Sequence, residues 1–349
     1  MTPSGWAGRA RSAATGLPGK VSRRVTRRLG RRWTTAAALA LLPTYLSEAR
    51  AVVAGHRRYI AAEHDGQQVH ELRRRIHMLE KGLVMRPRRG TFAAGYVGVT
   101  VKTVAALRRD AQEALSQEEW DWVISVLDDY FAATATSEDP RVRRAHDAYR
   151  ALELEGVAAE HRGPHPPAPS DAMHFDAFAA LARARSSVRW FLPKPVERDL
   201  IDRAVAVAAE APSACNRQPY QLRVLDDPEL VRRVAEIPMG TRGFGQGIPV
   251  LTAVVGTTSA FIHERDRHLP YIDSSLAAMS YVLALEAQGL STCCINWPEV
   301  PERHATIAQA LGLGDDERVI MLVAVGYADP TGLAPYSQKR HVDDIRRYN

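Results

Sequence analysis

Glu210-Ala-Pro-Ser-Ala-Cys-Asn-Arg-Gln-Pro-Tyr220 divides a helical run from a strand-like one. Val196 to Ala209 has helical spacing that Pro212 stops. Gln221 to Leu225 reads as a strand that begins after Pro219. The small residues between them let backbone approach a flat ligand closely. Asn216 and Gln218 each offer a coplanar donor and acceptor, which suits a heterocycle that presents both. Cys215 has two readings, a nucleophile or a small residue beside a turn. The sequence places no histidine near it to act as a base.

Working outward toward the C-terminus, helical and strand-like patterns alternate. Helices are expected over 172–184, 196–209, 228–236, 273–288 and 301–311, and strands over 221–225, 250–255, 291–295 and 319–326. Alternation of this kind builds an α/β or α+β layer protein. The runs 250–255 and 319–325 have no polar face, as in strands covered on both sides. Asp273 reads as the N-cap of the 273–288 helix, and Gly289 as its C-terminal cap. Gly243-Phe-Gly-Gln-Gly247 has no helical run after it, so it reads as a flexible loop, not a dinucleotide site.

Toward the N-terminus the chain reads as helical. Val69, Leu72, Ile76, Leu79 and Leu83 share one helical face, and further patterns cover 97–107, 120–131 and 141–154. Ser116-Gln-Glu-Glu119 has the form of a capping box. In His77-Met-Leu-Glu-Lys-Gly-Leu83, His77 and Glu80 lie three apart. They form a metal or acid–base pair, or a hydrogen-bonded helix end with Lys81 near the last carbonyls and Gly82 as a left-handed cap. No second His/Glu pair completes a metal site in this region. His161-Arg-Gly-Pro-His-Pro-Pro-Ala-Pro-Ser170 is too rich in proline for helix or central strand and reads as a stiff linker. The expected organisation is a basic, disordered arm over 1–43, a helical extension over 44–160, the linker over 161–171 and a C-terminal domain over 172–349.

Charge separates the arm from the body. Residues 1–60 hold 12 Lys/Arg against one acid, and residues 61–349 hold 34 against 39. A basic arm on a mildly acidic body argues against a nucleic-acid-binding domain. The arm could contact an anionic membrane surface. Arg31-Arg32, a short apolar run from Ala36 to Leu42 and Ala49-Arg50-Ala51 resemble an export signal. Pro43 interrupts the run, and a basic tail leading into a helix is the preferred reading. Three cysteines without a C-x-x-C pair argue against zinc and fit a reducing compartment. The expected location is cytoplasmic, or peripheral to a membrane.

Four segments in order resemble the nitroreductase-like flavoenzymes, over about residues 175–349. Arg185-Ser-Ser-Val-Arg189 resembles the R-x-S-x-R near the start of that domain. Two guanidiniums and two hydroxyls at a turn supply the charge-assisted bonds a phosphate monoester takes. Pro212-Ser-Ala-Cys-Asn-Arg-Gln-Pro219 resembles the P-S-x-x-N-x-Q-P loop, with Ala214 where a hydroxyl residue is common. Asp273 with its helix and Gly289-Leu-Ser-Thr-Cys-Cys-Ile-Asn-Trp-Pro298 resembles the third segment. Gly326-Tyr and Tyr336-Ser-Gln-Lys-Arg-His-Val-Asp-Asp-Ile345 resemble the terminal strand exit and basic tail. The H-x-x-E-K-G-L phrase is also similar to one in the N-terminal extension of some of these proteins.

The resemblance implies an α+β fold with a mixed sheet flanked by helices, preceded here by an all-helical region. It implies FMN held by Arg185, Ser186, Ser187 and Arg189, and by Lys339 and Arg340 in the tail. Pro212, Ser213, Ala214, Asn216 and Gln218 would contact flavin as part of the neighbouring subunit of a homodimer. Backbone amides near Ile295 and Asn296 would meet the ring edge. The implied activity passes hydride from NADH or NADPH through FMN to an electron-poor small molecule, a nitroaromatic or quinone, by ping-pong turnover, with no catalytic side chain nominated and no metal. Two alternatives stay open: a flavin-dependent oxidase or dehydrogenase tailoring a natural product or glycan precursor, and a non-catalytic scaffold on a flavin fold.

Overall fold

The computed structural model describes residues 35–65, 68–167 and 175–349, with side chains from Tyr45 onward. The basic arm before residue 35 and part of the proline-rich linker lie outside the described residues. The chain divides into two compact units, 1–48 and 49–349. In the first, the described part is the opening of helix α1 (Thr35–His64). That helix runs through Pro43, the residue that ends the apolar run from Ala36 to Leu42. A proline inside a helix costs about 3 kcal/mol, and here helical residues continue on both sides of it. Among the described residues, no helix is long and apolar enough to cross a membrane.

Four further helices of the second unit form a bundle: α2 (Val69–Leu83), α3 (Val97–Asp110), α4 (Gln117–Ala133) and α5 (Pro140–Arg150). Leu72, Ile76 and Leu79 of α2 are fully buried against Val101, Val104, Trp120, Leu127 and Tyr130. The Ser116 capping box forms as its sequence indicates. The Ser116 hydroxyl accepts from the Glu119 amide, and the Glu119 carboxylate accepts from the Ser116 amide. Gly82 is not a left-handed cap: α2 continues to Leu83, and the right-handed Val84 caps it. A Cβ at Gly82 would stand 2.3 Å from the Phe92 ring. Close packing therefore requires this glycine, not backbone freedom.

The remaining elements build one sheet between two helical layers. Helices α6 (Phe175–Ala184) and α7 (Arg198–Ala209) precede strand β1 (Tyr220–Leu225). Helix α8 (Pro228–Ala235), strand β2 (Val250–Thr257) and helix α9 (Leu269–Ala287) follow, then strand β3 (Ser291–Asn296), helix α10 (Pro301–Leu311), strand β4 (Glu317–Gly326) and the short helix α11 (Val342–Ile345). The strand order is β1-β2-β4-β3, with antiparallel neighbours throughout. The four-stranded sheet is thus antiparallel, and outside its strands an isolated parallel bridge joins Ser187 to Thr292 at the β3 edge.

β2 and β4 are central and buried on both faces, as their unbroken apolar runs require. Strand alternation gives each face its own core. Val250, Val254, Val323 and Val325 pack on α7 and α9 through Ile201, Ala204, Ala278 and Tyr281. Leu251, Ala253, Leu322 and Ala324 pack on α8 and α10 through Val231, Val234 and Ile307.

Candidate functional site

The loop after α7 turns by unusual backbone conformations. Cys215, Asn216 and Gln218 have φ of 54°, 53° and 50°. The left-handed region costs a non-glycine residue roughly 1–2 kcal/mol, least for asparagine, so the surroundings must hold these residues there. Several hydrogen bonds do so. The Gln218 amide donates to the Ser213 hydroxyl at 3.1 Å, and the Asn216 amide donates to the Ser213 carbonyl at 3.0 Å. The Gln218 side chain donates to the Asn216 Oδ1 at 3.2 Å. That pairing leaves the Asn216 NH2 group and the Gln218 side-chain carbonyl as a further donor and acceptor on the half-buried loop.

Asp273 holds the loop from outside. It is not the N-cap of its helix: α9 begins a turn earlier, at Leu269, with Pro270 in its first turn. Proline's fixed φ suits that position. The Asp273 carboxylate, 2% exposed, accepts from the Ala214 amide at 3.0 Å. Burial raises its pKa above the usual carboxylate value, and the Ala214 amide and Arg217 work in the opposite sense.

The second expected segment lies at the other end of α9. Ser187 bridges Thr292, and the Val188 amide donates to the Thr292 carbonyl at 3.0 Å, so residues 185–189 run along the free edge of β3. The Arg189 guanidinium donates to the Ser187 carbonyl at 3.3 Å and stands 5.8 Å over the Phe244 ring. Arg185 is near Glu286, where it partly offsets the burial that raises that carboxyl's pKa. Among the described residues, neither Arg185 nor Arg189 forms an ion pair with a carboxylate, Arg189 bonding a backbone carbonyl and Arg185 acting on Glu286 from beyond bonding distance. The buried Thr292 hydroxyl beside them has no hydrogen-bond partner. Two guanidiniums outside ion-pair distance of a carboxylate, Glu286 being the nearby one for Arg185, the Ser186 and Ser187 hydroxyls and an orphaned threonine hydroxyl are donors of the kind a phosphate takes.

The structure brings some of the expected site residues together and leaves others apart. Arg185, Ser186, Ser187 and Arg189 meet β3, which carries Ile295 and Asn296. The Ile295 side chain is core, so only its backbone can serve a ligand, whereas Asn296 is exposed. Pro212, Ser213, Ala214, Asn216 and Gln218 sit at the Asp273 end of α9. Thirteen residues separate Asp273 from Glu286, about 20 Å along the helix. For Lys339 and Arg340 the hydrogen bonds lie within the tail itself. Lys339 donates to the Ser337 carbonyl at 2.8 Å and Arg340 to the Asp344 carbonyl at 2.7 Å, on an exposed tail.

One lining segment has no clear sequence signal. A cavity of about 790 Å³ lies between Trp190, Met239, Arg242, Phe244, Gln246 and Arg303. Short 3-10 turns at Met239–Thr241 and Gly245–Gly247 line it. Phe244 is buried beneath Arg189, which anchors a stretch whose glycines alone suggest a flexible loop. His77 pairs with Glu80 at 3.1 Å, and Glu80 accepts from the Trp122 indole at 2.8 Å, as in a hydrogen-bonded helix end. Among the described residues, no group of three or more His, Cys, Asp or Glu side chains could hold a metal.

Comparison with known proteins converges on the same half of the chain. The family model for the nitroreductase family matches residues 182–241 and 237–327. A 4-nitrobenzoate reductase of Pseudomonas putida is 26% identical over 201 residues, spanning 44% of this chain and 86% of that protein. Iodotyrosine deiodinase 1 of Rattus norvegicus is 23% identical over 201 residues, spanning 50% of this chain and 70% of that protein. An FMN-dependent nitroreductase of Clostridium difficile aligns in structure with a TM-score of 0.43 and 19% identity, over 49% of this chain and 99% of that one. The matched residues include the 185–189 segment, the 212–219 loop and β3, and end before Lys339 and Arg340. The C-terminal half of this chain carries a domain of the nitroreductase family.

Proposed function

We propose that the chain is an FMN-dependent oxidoreductase that takes reducing equivalents from NADH or NADPH and delivers them to an electron-poor small molecule. The carrying observation is the 185–189 segment on the β3 edge. There Arg185 and Arg189 lack carboxylate partners and the Thr292 hydroxyl is orphaned. Arg185, Ser186, Ser187 and Arg189 would hold the phosphate. Backbone at Ile295 and Asn296 would meet the ring edge, and Lys339 and Arg340 would reach a phosphate only once the tail is placed by assembly. Bound there, FMN supplies reversible two-electron redox chemistry. The chain's own contribution is to bind and orient it and to keep the acceptor in the adjoining cavity.

The 212–219 loop would serve the flavin of a second copy, with Asn216 and Gln218 offering the donor–acceptor edge. Two observations support this homodimer. The loop stands about 20 Å along α9 from the phosphate segment. Ile272, Leu276 and Met279, at four- and three-residue spacing, present an exposed apolar stripe on the same helix. Nitroaromatic and quinone acceptors are the first to test. Similarity to iodotyrosine deiodinase 1 adds a halogenated phenol to that panel. The test is reconstitution with FMN, removal of free flavin and assay of each acceptor with NADH and NADPH. Turnover of none of them by a flavin-loaded protein would count against the reductase reading and favour an oxidase with its own substrate.

A further inference from the structure

The expectation from sequence leaves the helical extension without a role, and the structure places it against the 212–219 loop. Residues 72, 76 and 79 of α2 face the bundle core, while its first turn, His70 and Glu71, faces that loop. The His70 ring meets the Arg217 carbonyl at 2.9 Å. The Arg217 guanidinium is 7% exposed. It stands 4.9 Å over the Phe261 ring and 3.9 Å from the Glu71 carboxylate. Glu71 is itself buried, accepts from Arg74 at 2.6 Å and from Arg75 at 3.1 Å, and is bonded by the Tyr59 hydroxyl.

Arg217 sits between Asn216 and Gln218, two of the three residues whose backbone needs outside support. A buried guanidinium keeps its place only while its charge is compensated. Glu71 is the carboxylate at ion-pair distance, with Asp273 acting on the same charge from farther off, and the His70 contact fixes the adjoining peptide. Removing either frees the strained residues to relax toward ordinary φ.

We propose that α2 is the positioning element of the flavin loop: His70 and Glu71 hold Arg217, and through it hold Asn216 and Gln218 in the conformation that faces a ligand. This rests on the reading that the loop lines a flavin site. The extension thus acts as an internal brace for the redox domain.

The test uses the full-length, flavin-free protein with Glu71→Gln, Glu71→Asp and His70→Leu variants. Amide hydrogen exchange over 213–219 reports the loop without cofactor, and FMN fluorescence quenching reports affinity. Glu71→Gln is expected to speed exchange in 213–219 about tenfold and weaken FMN binding by a similar factor. Exchange in β2 and β4 should stay at the wild-type rate, and Glu71→Asp should recover most of both effects. If Glu71→Gln destabilises the whole protein, His70→Leu carries the same test with a neutral group. Unchanged exchange in 213–219 in a folded variant overturns the proposal, whatever FMN does. Faster exchange with unchanged FMN affinity, together with an Asn216→Leu variant that also binds FMN normally, keeps the brace and removes the loop from the flavin site.

Discussion

Asn216 illustrates how a side chain's chemistry can be legible in the sequence while the backbone that supports it is not. Its amide is visible in the sequence as a candidate heterocycle contact. Its left-handed backbone, its bond from Gln218 and the neighbouring Arg217 clamp are long-range consequences of the fold. Asn216→Leu should therefore weaken FMN binding by about tenfold, the loss of one net hydrogen bond, with a stability loss of about 1 kcal/mol because leucine tolerates the left-handed φ less well than asparagine. Titration of the apoprotein checks both. Asp273 shows the opposite case, because its cap-like sequence position conceals a role in holding the Ala214 amide 59 residues away. His304 yields a pH prediction. Burial and the nearby Arg318 lower its pKa to about 4, against a weaker pull from Glu299, and burial lowers that of His70 to about 4 as well. Both rings stay neutral in the folded protein while the unfolded chain takes up protons below about pH 6.5. Stability should thus be complete above that value and fall as pH drops toward 4, by up to about 1.4 kcal/mol per pH unit for each histidine. A denaturation series in which His304→Gln shows a shallower acid slope than wild type would bear this out; identical slopes would remove His304 from the account.

At the scale of elements, local signals transmit well and packing signals do not. The Ser116 box, the apolar runs of β2 and β4 and the face of α2 depend on neighbours within a few residues, and each appears where its pattern places it. Ser116→Ala should cost about 1 kcal/mol, a typical loss for an N-cap. Chemical denaturation of the full chain measures it. Gly82 marks the limit of that legibility. Its sequence context suggests a helix stop, but the Phe92 ring that excludes a side chain comes from the segment between α2 and α3. The 238–247 stretch is similar: only its contact with Arg189 and β3 reveals it as a cavity wall.

The whole molecule combines a helical bundle, a brace helix and a sheet domain whose candidate phosphate and ring contacts lie at opposite ends of α9. On the proposed reading, such a domain would complete its site by pairing with a second copy. Met279→Glu places a charge in the exposed apolar stripe and should shift the protein from dimer to monomer in light scattering, with loss of flavin retention. A wild-type monomer that keeps flavin would assign the loop another role. The most direct test of the account is a visible spectrum of full-length protein after FMN loading and removal of free flavin, followed by anaerobic addition of NADH or NADPH. A retained flavin band that bleaches on reduction is expected, and it should be absent from a folded Arg185→Ala/Arg189→Ala variant. A folded wild-type protein that retains no flavin, or a bound band that neither nicotinamide bleaches, would contradict it.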